Sequence, residues 1–374
     1  MIRNIARVCR RLRKATWICG FPPTNRPVVL YDVVTFSALE YERSPLKVIA
    51  PSRFVVLRHN QFYLGILFLS LRYVFQGRYA YEAAFLRYVG CRLLINCLDD
   101  YFAISVACSI VGARSVYIQN GYRDSVIQKL NVKPSISLFF SMSPSYSKWL
   151  SAHVDATFIN HGSLKNNMRP KLPPDPVVRK VFWISHYSRQ GIVPRGRNVS
   201  WQHDIYDTNR IALEALLAFC RKNNLEVAVL CRFNNELRHE EERFYEKLGV
   251  SLFSPTSTES YDLVSSDSMV VGITSTFAYE CFARGLRVAF LCFRGYRVGV
   301  SDLMFGWPGE FPDEGDFWTT SDTRRSLDEL FCRVFRYSPQ EWIKITRRYA
   351  NVFAYDSNNQ ALCRTLKHEL EALS

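Results

Sequence analysis

The stretch 269-MVVGITSTFAYECFARGLRVAFL-291 contains the clearest alternation of structural signals in the chain. An apolar run stops at Gly272, a helix-like segment closes at Gly285, and a second apolar run follows. Apolar runs separated by helices of this length are typical of parallel sheets, in which each helix crosses back over the sheet. The stretch therefore predicts one β–α–β unit of an α/β domain.

The same alternation recurs on both sides of 168-MRPKLPPDPV-177, which contains four prolines and cannot form a regular helix or a central strand. We therefore expect an α/β fold of two Rossmann-like domains that face each other across a cleft. The predicted domains are residues 1–167 and 178–374, joined by a linker at 168–177, and the C-terminal helices close the second domain. The predicted strands lie at 28–34, 115–121, 135–142, 156–163, 181–188, 226–233, 250–255 and 268–273, and 91–98 fits either a strand or the start of a buried helix.

The net charge of +14 is carried entirely by the first half of this 374-residue chain. Residues 1–176 contain 23 Lys and Arg against 9 Asp and Glu, whereas residues 177–374 contain 25 of each. The sequence contains none of the helix-turn-helix, zinc-finger or RNP motifs of nucleic-acid-binding domains, so nucleic acid is not expected as a partner. Because the basic half is also rich in apolar and aromatic runs, an anionic membrane surface or a phosphorylated lipid fits better.

Two segments of the basic half bear on membrane contact. Residues 1–17 place apolar residues among arginines at near-helical spacing, which fits either an amphipathic helix on a membrane or a solvated tail. The run 63-YLGILFLSLRYVF-75 is too short to span a bilayer and predicts a core or interfacial helix. We expect a cytoplasmic protein, peripheral on the inner face of the membrane.

The eleven cysteines form no CxxC pair, and many lie within apolar runs. That distribution indicates free thiols in a reducing compartment, not a disulfide framework or a zinc site. No spacing typical of metal ligands is present, so we expect neither a metal nor another cofactor.

Polar residues follow three predicted strands of the second half, where ligands bind in an open parallel sheet. They are Ser185 and His186, then Arg232, then Thr274, Ser275 and Thr276. Hydroxyls and backbone N–H groups at a helix start favour phosphate, and arginine binds phosphate through two hydrogen bonds. Glu280, one turn further into the helix, suits two ribose hydroxyls. Together these residues predict a donor-nucleotide pocket.

Simpler roles for the same residues remain open. Ser275 or Thr276 can cap the helix alone, and Glu280 can pair with Arg284 on an exposed face. Arg232 can be an ordinary surface residue, and His186 a hydrogen-bonded core histidine. A capping box does not explain Glu280, because Phe277 stands three residues before it.

Strand ends of the first half supply candidates for the acceptor side. The base candidates are Asp32, Asp99 and Asp100, and the acceptor contacts are Gln119, Asn120, Gly121, Arg123 and Ser163. A carboxylate at such a position can take the proton of an acceptor hydroxyl. The alternatives are helix capping by the Asp99–Asp100 pair and an ordinary turn at Asn120–Gly121. The segment 305-FGWPGEFPDEGDFWT-319 is either a loop that stacks a base or sugar or a packed surface loop.

The quoted motifs, taken in order, resemble a bacterial family. YIQNGYRD (117–124), HGSLKNN (161–167), VFWISHYSR (181–189), the run from Ser275 to Gly285 and the 305–319 loop are similar to O-antigen or surface-carbohydrate biosynthesis proteins. The resemblance runs from about Val28 to Trp342, and the basic N-terminal segment lies outside it. It implies a GT-B-like fold and a role in cell-surface polysaccharide assembly. One departure is Thr274, where relatives more often carry an acid before the Ser–Thr pair.

The expected function is that of a glycosyltransferase with a nucleotide-sugar donor, active in O-antigen, capsule or lipopolysaccharide synthesis. The expected acceptor is a lipid-linked or anionic glycan. A transferase of polyol phosphate from a CDP-linked donor, on the same fold, and a non-catalytic component of polysaccharide assembly remain as alternatives.

Overall fold

The computed structural model describes residues 15–98, 101–121, 133–188, 201–256, 259–273 and 275–373. The chain divides into two compact units. Among the described residues, unit 1 comprises those of Met1–Met142, Ser147–Met168 and Asp356–Ser374, and unit 2 comprises Ser143–Tyr146 and those of Arg169–Tyr355.

Helices and strands alternate along the first part of the chain. The strands are Thr16–Ile18 (β1), Val28–Tyr31 (β2), Phe54–Leu57 (β3), Gln61–Tyr63 (β4), Leu93–Asn96 (β5), Arg114–Ile118 (β6), Ser135–Ser141 (β7) and Asp155–Asn160 (β8). The α-helices are Val33–Glu40 (α1), Leu64–Ser70 (α2), Ala80–Val89 (α3), Ala103–Val111 (α4), Pro144–Ser151 (α5) and Leu164–Asn167 (α6), with 3₁₀ turns at Pro45–Val48, Pro51–Arg53 and Leu71–Tyr79.

The second part continues the same pattern. Its strands are Lys180–Ile184 (β9), Val227–Leu230 (β10), Leu252–Phe253 (β11), Ser268–Gly272 (β12), Arg287–Leu291 (β13) and Trp318–Thr319 (β14). Its α-helices are Trp201–Lys222 (α7), Arg238–Glu246 (α8), Ser260–Leu263 (α9), Thr276–Arg284 (α10), Phe293–Val298 (α11), Arg324–Arg336 (α12), Pro339–Arg348 (α13) and Gln360–Glu371 (α14), with 3₁₀ turns at Ser301–Leu303 and Ser357–Asn359.

Each unit is built on a parallel sheet. Within the described residues, the unit 1 sheet has the order β3-β2-β5-β6-β7-β8 and the unit 2 sheet the order β11-β10-β9-β12-β13-β14. Every named strand pair in both sheets is parallel. The central strands β2, β5, β12 and β13 are buried along their whole length, as expected of strands with helices on both faces.

The predicted strand at 28–34 is too long. Strand β2 stops at Tyr31, and α1 begins at Val33 with Asp32 as its N-cap residue. The β-branched run of Val33 and Val34 continues the strand pattern by composition, but their side chains are exposed on the first turn of the helix. Composition alone therefore cannot locate this strand end.

The last helix belongs to a different unit from the one the sequence predicted. We expected the C-terminal helices to close the second domain, but α14 lies in unit 1. Its buried leucines, Leu362, Leu366 and Leu370, join the same core cluster as Val28 of β2 and Leu93 of β5. The helix completes the core of unit 1, so hydrophobic packing explains its position.

Replacing Leu366 with Ala should lower the free energy of unfolding of unit 1 by about 2–5 kcal/mol, because it leaves a cavity in this core. The matched control is Lys367→Ala on the exposed face of the same helix, expected to change stability by less than about 0.5 kcal/mol. Urea unfolding of the full chain measures both changes. Equal stability of the two variants would contradict the assignment of α14 to the core of unit 1.

Candidate functional site

Polar residues of unit 2 follow its central strands at their carboxyl ends. Strand β9 comes first in this unit and has β10 on one side and β12 on the other. The connections therefore run in opposite directions from β9, which opens a crevice at its carboxyl end. Ser185 and His186 follow β9, and Arg232 follows β10, so the structure brings together three of the predicted donor residues.

A buried carboxylate on helix α8 holds these two strand ends together. Glu241 accepts a hydrogen bond from the hydroxyl of Ser185, and it accepts the backbone N–H of Arg232 at 2.8 Å and that of Phe233 at 3.0 Å. The side chain is fully buried. A buried carboxylate with three donors of this kind fixes the backbone that it contacts, because losing any of these bonds would leave buried charge uncompensated.

Tyr245 adds a second brace from the next turn of the same helix. Its hydroxyl accepts the backbone N–H of His186 at 2.9 Å and lies 3.2 Å from the side-chain oxygen of Asn209, to which it donates. Burial raises the pKa of this phenol well above its ordinary value, so it stays a neutral donor. Glu241 and Tyr245 are four residues apart and therefore share one face of α8.

Three nitrogen-rich side chains form what we call the cation cluster: His186, Arg232 and Arg294. Burial lowers the pKa of His186 to about 3, with further lowering by the charges of Arg294 and then Arg232. The Nε2 atom of His186 is buried and has no hydrogen-bond partner in the described part of the chain. A neutral imidazole within the electrostatic reach of two guanidinium groups is suited to an anionic ligand that both arginines would attract.

The members of the cation cluster differ in exposure. Arg294, in the short helix after β13, is almost fully buried, whereas Arg232 is exposed and lies 5.6 Å from the ring centroid of Phe233. Arg294 was not among the residues predicted from the sequence, although it follows the apolar run 288–293 directly, as the other candidates follow theirs. Its position after a buried strand is the signal that identifies it.

The turn between β12 and α10 carries the predicted hydroxyl residues. Ser275 is the N-cap residue of α10, and its hydroxyl accepts the backbone N–H of Phe277 at 3.2 Å. The simpler of its two predicted roles, helix capping, is thus present in the structure. Thr276 is the first helical residue and is half-buried. Thr274 lies outside the described residues.

Glu280 is buried in α10 and accepts a hydrogen bond from the hydroxyl of Tyr261 at 2.6 Å. Arg284 is buried as well, and it donates to the carbonyl oxygens of Pro170 at 3.1 Å and Tyr261 at 3.4 Å. An ion pair on an exposed face therefore does not account for Glu280. The carboxylate lies one turn from the helix start, beside an aromatic ring that packs edge-on against Phe277.

The aromatic loop at 305–319 packs into unit 2. Phe305, Phe317 and Trp318 are buried, and the rings of Phe305 and Trp318 stack at a centroid distance of 4.1 Å. The indole nitrogen of Trp318 donates to the carbonyl of Pro312, and Gly306 donates its N–H to the hydroxyl of Tyr279 on α10. Packing, the second of the two predicted roles for this loop, accounts for these three rings.

A cavity of about 530 Å³ lies at the other end of α10, where Gly285 ends the helix. Two of the cations in its lining are already engaged: Lys171 lies over the ring of Tyr355, and Arg284 binds carbonyls. None of His186, Arg232 and Arg294 lines the cavity, so it is separate from the cation cluster.

In unit 1 the corresponding crevice lies between β2 and β5, because β2 comes before both of its neighbours in the sheet. Asp32 follows β2 and is buried; its Oδ2 lies 2.5 Å from Nδ1 of His59, whose side chain is half exposed. Its Oδ1 accepts the backbone N–H of Val33. The Asp32 carboxylate thus orients an imidazole whose other nitrogen lies on the far side of the ring.

His59 was missed by the sequence analysis. It stands in the turn after 54-FVVL-57, a short strand that was not identified, and the strand-end rule would have selected it.

The predicted acceptor contacts have varied surroundings. The amide of Gln119 donates to the carbonyl of Gly121 at 2.8 Å and accepts the N–H of Met142 at 2.7 Å, so it braces the ends of β6 and β7. Asn120 is exposed beside it. Ser163 is the N-cap residue of the four-residue helix α6. Asp99, Asp100 and Arg123 lie outside the described residues.

The described residues contain no group of His, Cys, Asp and Glu side chains that could hold a metal ion. In the same residues, no helix is long and apolar enough to cross a bilayer. The cysteines of the described residues are free, and most are buried.

A family model described as "putative O-antigen biosynthesis protein" matches residues 116–370. The chain belongs to this family. The resemblance inferred from the sequence is confirmed, although the match starts later than Val28 and extends beyond Trp342. No match to a curated protein was found.

Solved structures resemble this member of the O-antigen biosynthesis family at low identity. A "putative UDP-N-acetylglucosamine 2-epimerase" from Listeria monocytogenes aligns at 11% identity with a TM-score of 0.52, over 93% of this chain and 97% of that one. UDP-GlcNAc 2-epimerase from Neisseria meningitidis bound to UDP-GlcNAc aligns at 9% identity with a TM-score of 0.48, over 92% of this chain and 99% of that one. The wall teichoic acid polymerase TagF with CDPG aligns at 9% identity with a TM-score of 0.48, over 94% of this chain and 90% of that one. The Listeria likeness shows a shared fold. The predicted fold class, α/β with two parallel-sheet domains of GT-B type, is confirmed.

The depressed pKa of His186 predicts loss of stability in acid. Between about pH 3 and the ordinary value of 6.5 the unfolded chain binds a proton that the folded chain does not. The free energy of unfolding should therefore fall as the pH drops below 6.5, with a contribution from His186 on the order of 1–2 kcal/mol at pH 5. In urea titrations, His186→Gln should lose less stability than the parent protein between pH 7 and pH 5. An identical loss in both would contradict the buried, neutral imidazole.

Proposed function

We propose that the protein is a glycosyltransferase that moves a sugar from a nucleotide-sugar donor to a precursor of a surface polysaccharide. The observation that supports this most is the cation cluster at the carboxyl ends of β9, β10 and β13. Two arginines and a buried imidazole nitrogen without a partner among the described residues suit a diphosphate, and the matching family model is described as one of O-antigen biosynthesis.

Unit 2 would bind the donor. Arg232 and Arg294 would neutralise the diphosphate, and His186 would hydrogen-bond to it through Nε2. The hydroxyl of Thr276, at the start of α10, would donate a hydrogen bond to phosphate, and the Glu280 carboxylate would accept hydrogen bonds from ribose hydroxyls. Ser185 and Ser275 would act indirectly, since Ser185 holds Glu241 and Ser275 caps α10. The name of the Listeria likeness makes uridine nucleotides the first probes.

Unit 1 would supply the base. Nε2 of His59 would take the proton of the acceptor hydroxyl while its oxygen forms the new bond to the anomeric carbon. The bond between that carbon and the diphosphate breaks, and the nucleoside diphosphate leaves with the electron pair. The Asp32 carboxylate would stabilise the imidazolium through Nδ1, as in other His–Asp pairs. Asp32 is then a positioning residue; Asp99 and Asp100 remain predictions.

The two arginines would stabilise the charge of the leaving diphosphate, so the reaction as proposed requires no metal. The acceptor would be a lipid-linked or anionic glycan at a membrane surface, in keeping with the charge of residues 1–176. Gln119 would support the acceptor site by bracing strand ends, and Asn120 and Gly121 would lie closest to the glycan.

Arg294→Gln should weaken the binding of a nucleoside diphosphate about tenfold or more, because a charge-assisted hydrogen bond contributes about 1.5–3 kcal/mol. The matched control is Arg297→Gln, one turn along the same helix, where the guanidinium pairs with Asp322. Calorimetric titration of UDP, GDP and CDP measures both variants.

The same titration tests the donor class. Tightest binding of CDP would favour polyol-phosphate transfer, and equal binding by Arg294→Gln and the parent protein would remove the cation cluster from the donor site.

His59→Ala should lower the rate of sugar transfer about 10²–10⁴-fold, because a general base is lost. Asp32→Asn should cause a smaller loss, and both variants should keep the parent affinity for nucleotide, which binds in the other unit. His239→Ala, an exposed histidine on α8, serves as the control. The measured quantity is the rate at which nucleoside diphosphate is released from the sugar nucleotide that the titration shows to bind. Full turnover in His59→Ala would exclude it as the base.

A further inference from the structure

The surface of unit 1 carries a row of exposed apolar side chains on and beside helix α2. Leu64, Leu67, Phe68 and Leu71 recur at the three- and four-residue spacing of one helix face, and Phe75 is exposed in the 3₁₀ turn that follows. Ile66, on the opposite face, is fully buried. Apart from Ser70 at its end, the helix thus carries no polar side chain, although one face is in contact with solvent, which is unusual for a helix of a globular domain.

Phe21 extends this row from the segment that follows β1. The N–H of Gly65 donates to the carbonyl of Gly20 at 3.0 Å, and a Cβ added at Gly65 would lie 2.4 Å from the Phe21 ring. The ring therefore lies directly against the start of α2. We call Phe21, Leu64, Leu67, Phe68, Leu71 and Phe75 the apolar patch.

The apolar patch is large for a surface that stays in water. Phe75 is 99% exposed, Phe68 74% and Phe21 51%. These three rings alone present on the order of 400 Å², since a whole aromatic side chain presents about 150–250 Å². The leucines add to this area, so the patch exceeds what most monomeric proteins leave exposed and marks a site of interaction.

The charges of the two segments that build the patch have one sign. Residues 15–31 contain one Arg and residues 54–81 contain three, and neither range contains Asp or Glu. Arg58 and Arg72, close to the patch in sequence, are exposed. The surface that meets this patch therefore carries negative charge as well as apolar groups.

We infer that the apolar patch is a membrane-docking surface, which enters the headgroup region of a bilayer that contains anionic lipids. Apolar side chains on one helix face, flanked by arginines, have the composition of an interfacial helix. A second copy of this chain fits worse, because a symmetric pair would bring two cationic surfaces together. The segment 1–14 is also a worse occupant of the patch, because it too is positively charged. The inference rests on the proposed function in one respect only: membrane docking would bring unit 1 to a lipid-linked acceptor.

The test is sedimentation of the full chain with vesicles of phosphatidylcholine, with and without phosphatidylglycerol. The protein should bind the anionic vesicles, and salt should weaken that binding. Phe68→Ser and Phe75→Ser together should reduce it about tenfold or more, given the apolar area that each ring would bury. The matched control is Tyr296→Ser, an aromatic residue of unit 2 that is 68% exposed, which should bind as the parent does.

Parent-like vesicle binding by the Phe68 and Phe75 variant would overturn the inference, as would no binding by the parent protein. A parent dimer that the double variant makes monomeric, with vesicle binding unchanged, would instead assign the patch to a second copy of the chain. Because both rings are exposed, the urea midpoint of the double variant should equal that of the parent. Vesicle binding needs no nucleotide, and nucleotide titration needs no vesicle, so the two proposals fail independently.

Discussion

The buried carboxylate of Glu241 is the constraint on which the polar edge of unit 2 depends. Its two oxygens accept from the Ser185 hydroxyl and from the backbone after β10, so it joins two strand ends that are about fifty residues apart in the chain. His186 and Arg232 take their positions from that backbone. If water filled the gap between the strands, His186 and Arg232 could adopt many positions. The buried carboxylate allows few, because it must keep its hydrogen-bond donors.

The sequence predicts the parallel sheets well, because their central strands are continuous apolar runs that end in polar residues. The run 268–273 corresponds to β12, and the run 135–142 to β7. Local pattern also identifies Ser275 as a helix start. Strand ends are less certain: at Val33 and Val34 a β-branched composition continues into a helix.

What the sequence could not supply are pairings between distant segments. Glu241 stands within three consecutive acids, and nothing local separates the fully buried one from its partly buried neighbours. His59 meets Asp32 only because β2 and β3 are adjacent in the sheet. The position of α14 has the same origin, since its leucines match either domain by pattern and only the packed core selects unit 1.

The return of the chain to unit 1 at Asp356 also affects the order in which the protein is made. A ribosome completes the whole of unit 2 before it releases the leucines that fill the core beneath β2 and β5. During synthesis the core of unit 1 therefore stays incomplete until α14 emerges, whereas unit 2 can fold as soon as its last strand and helices emerge. Loss of the final residues would damage the half of the protein encoded first.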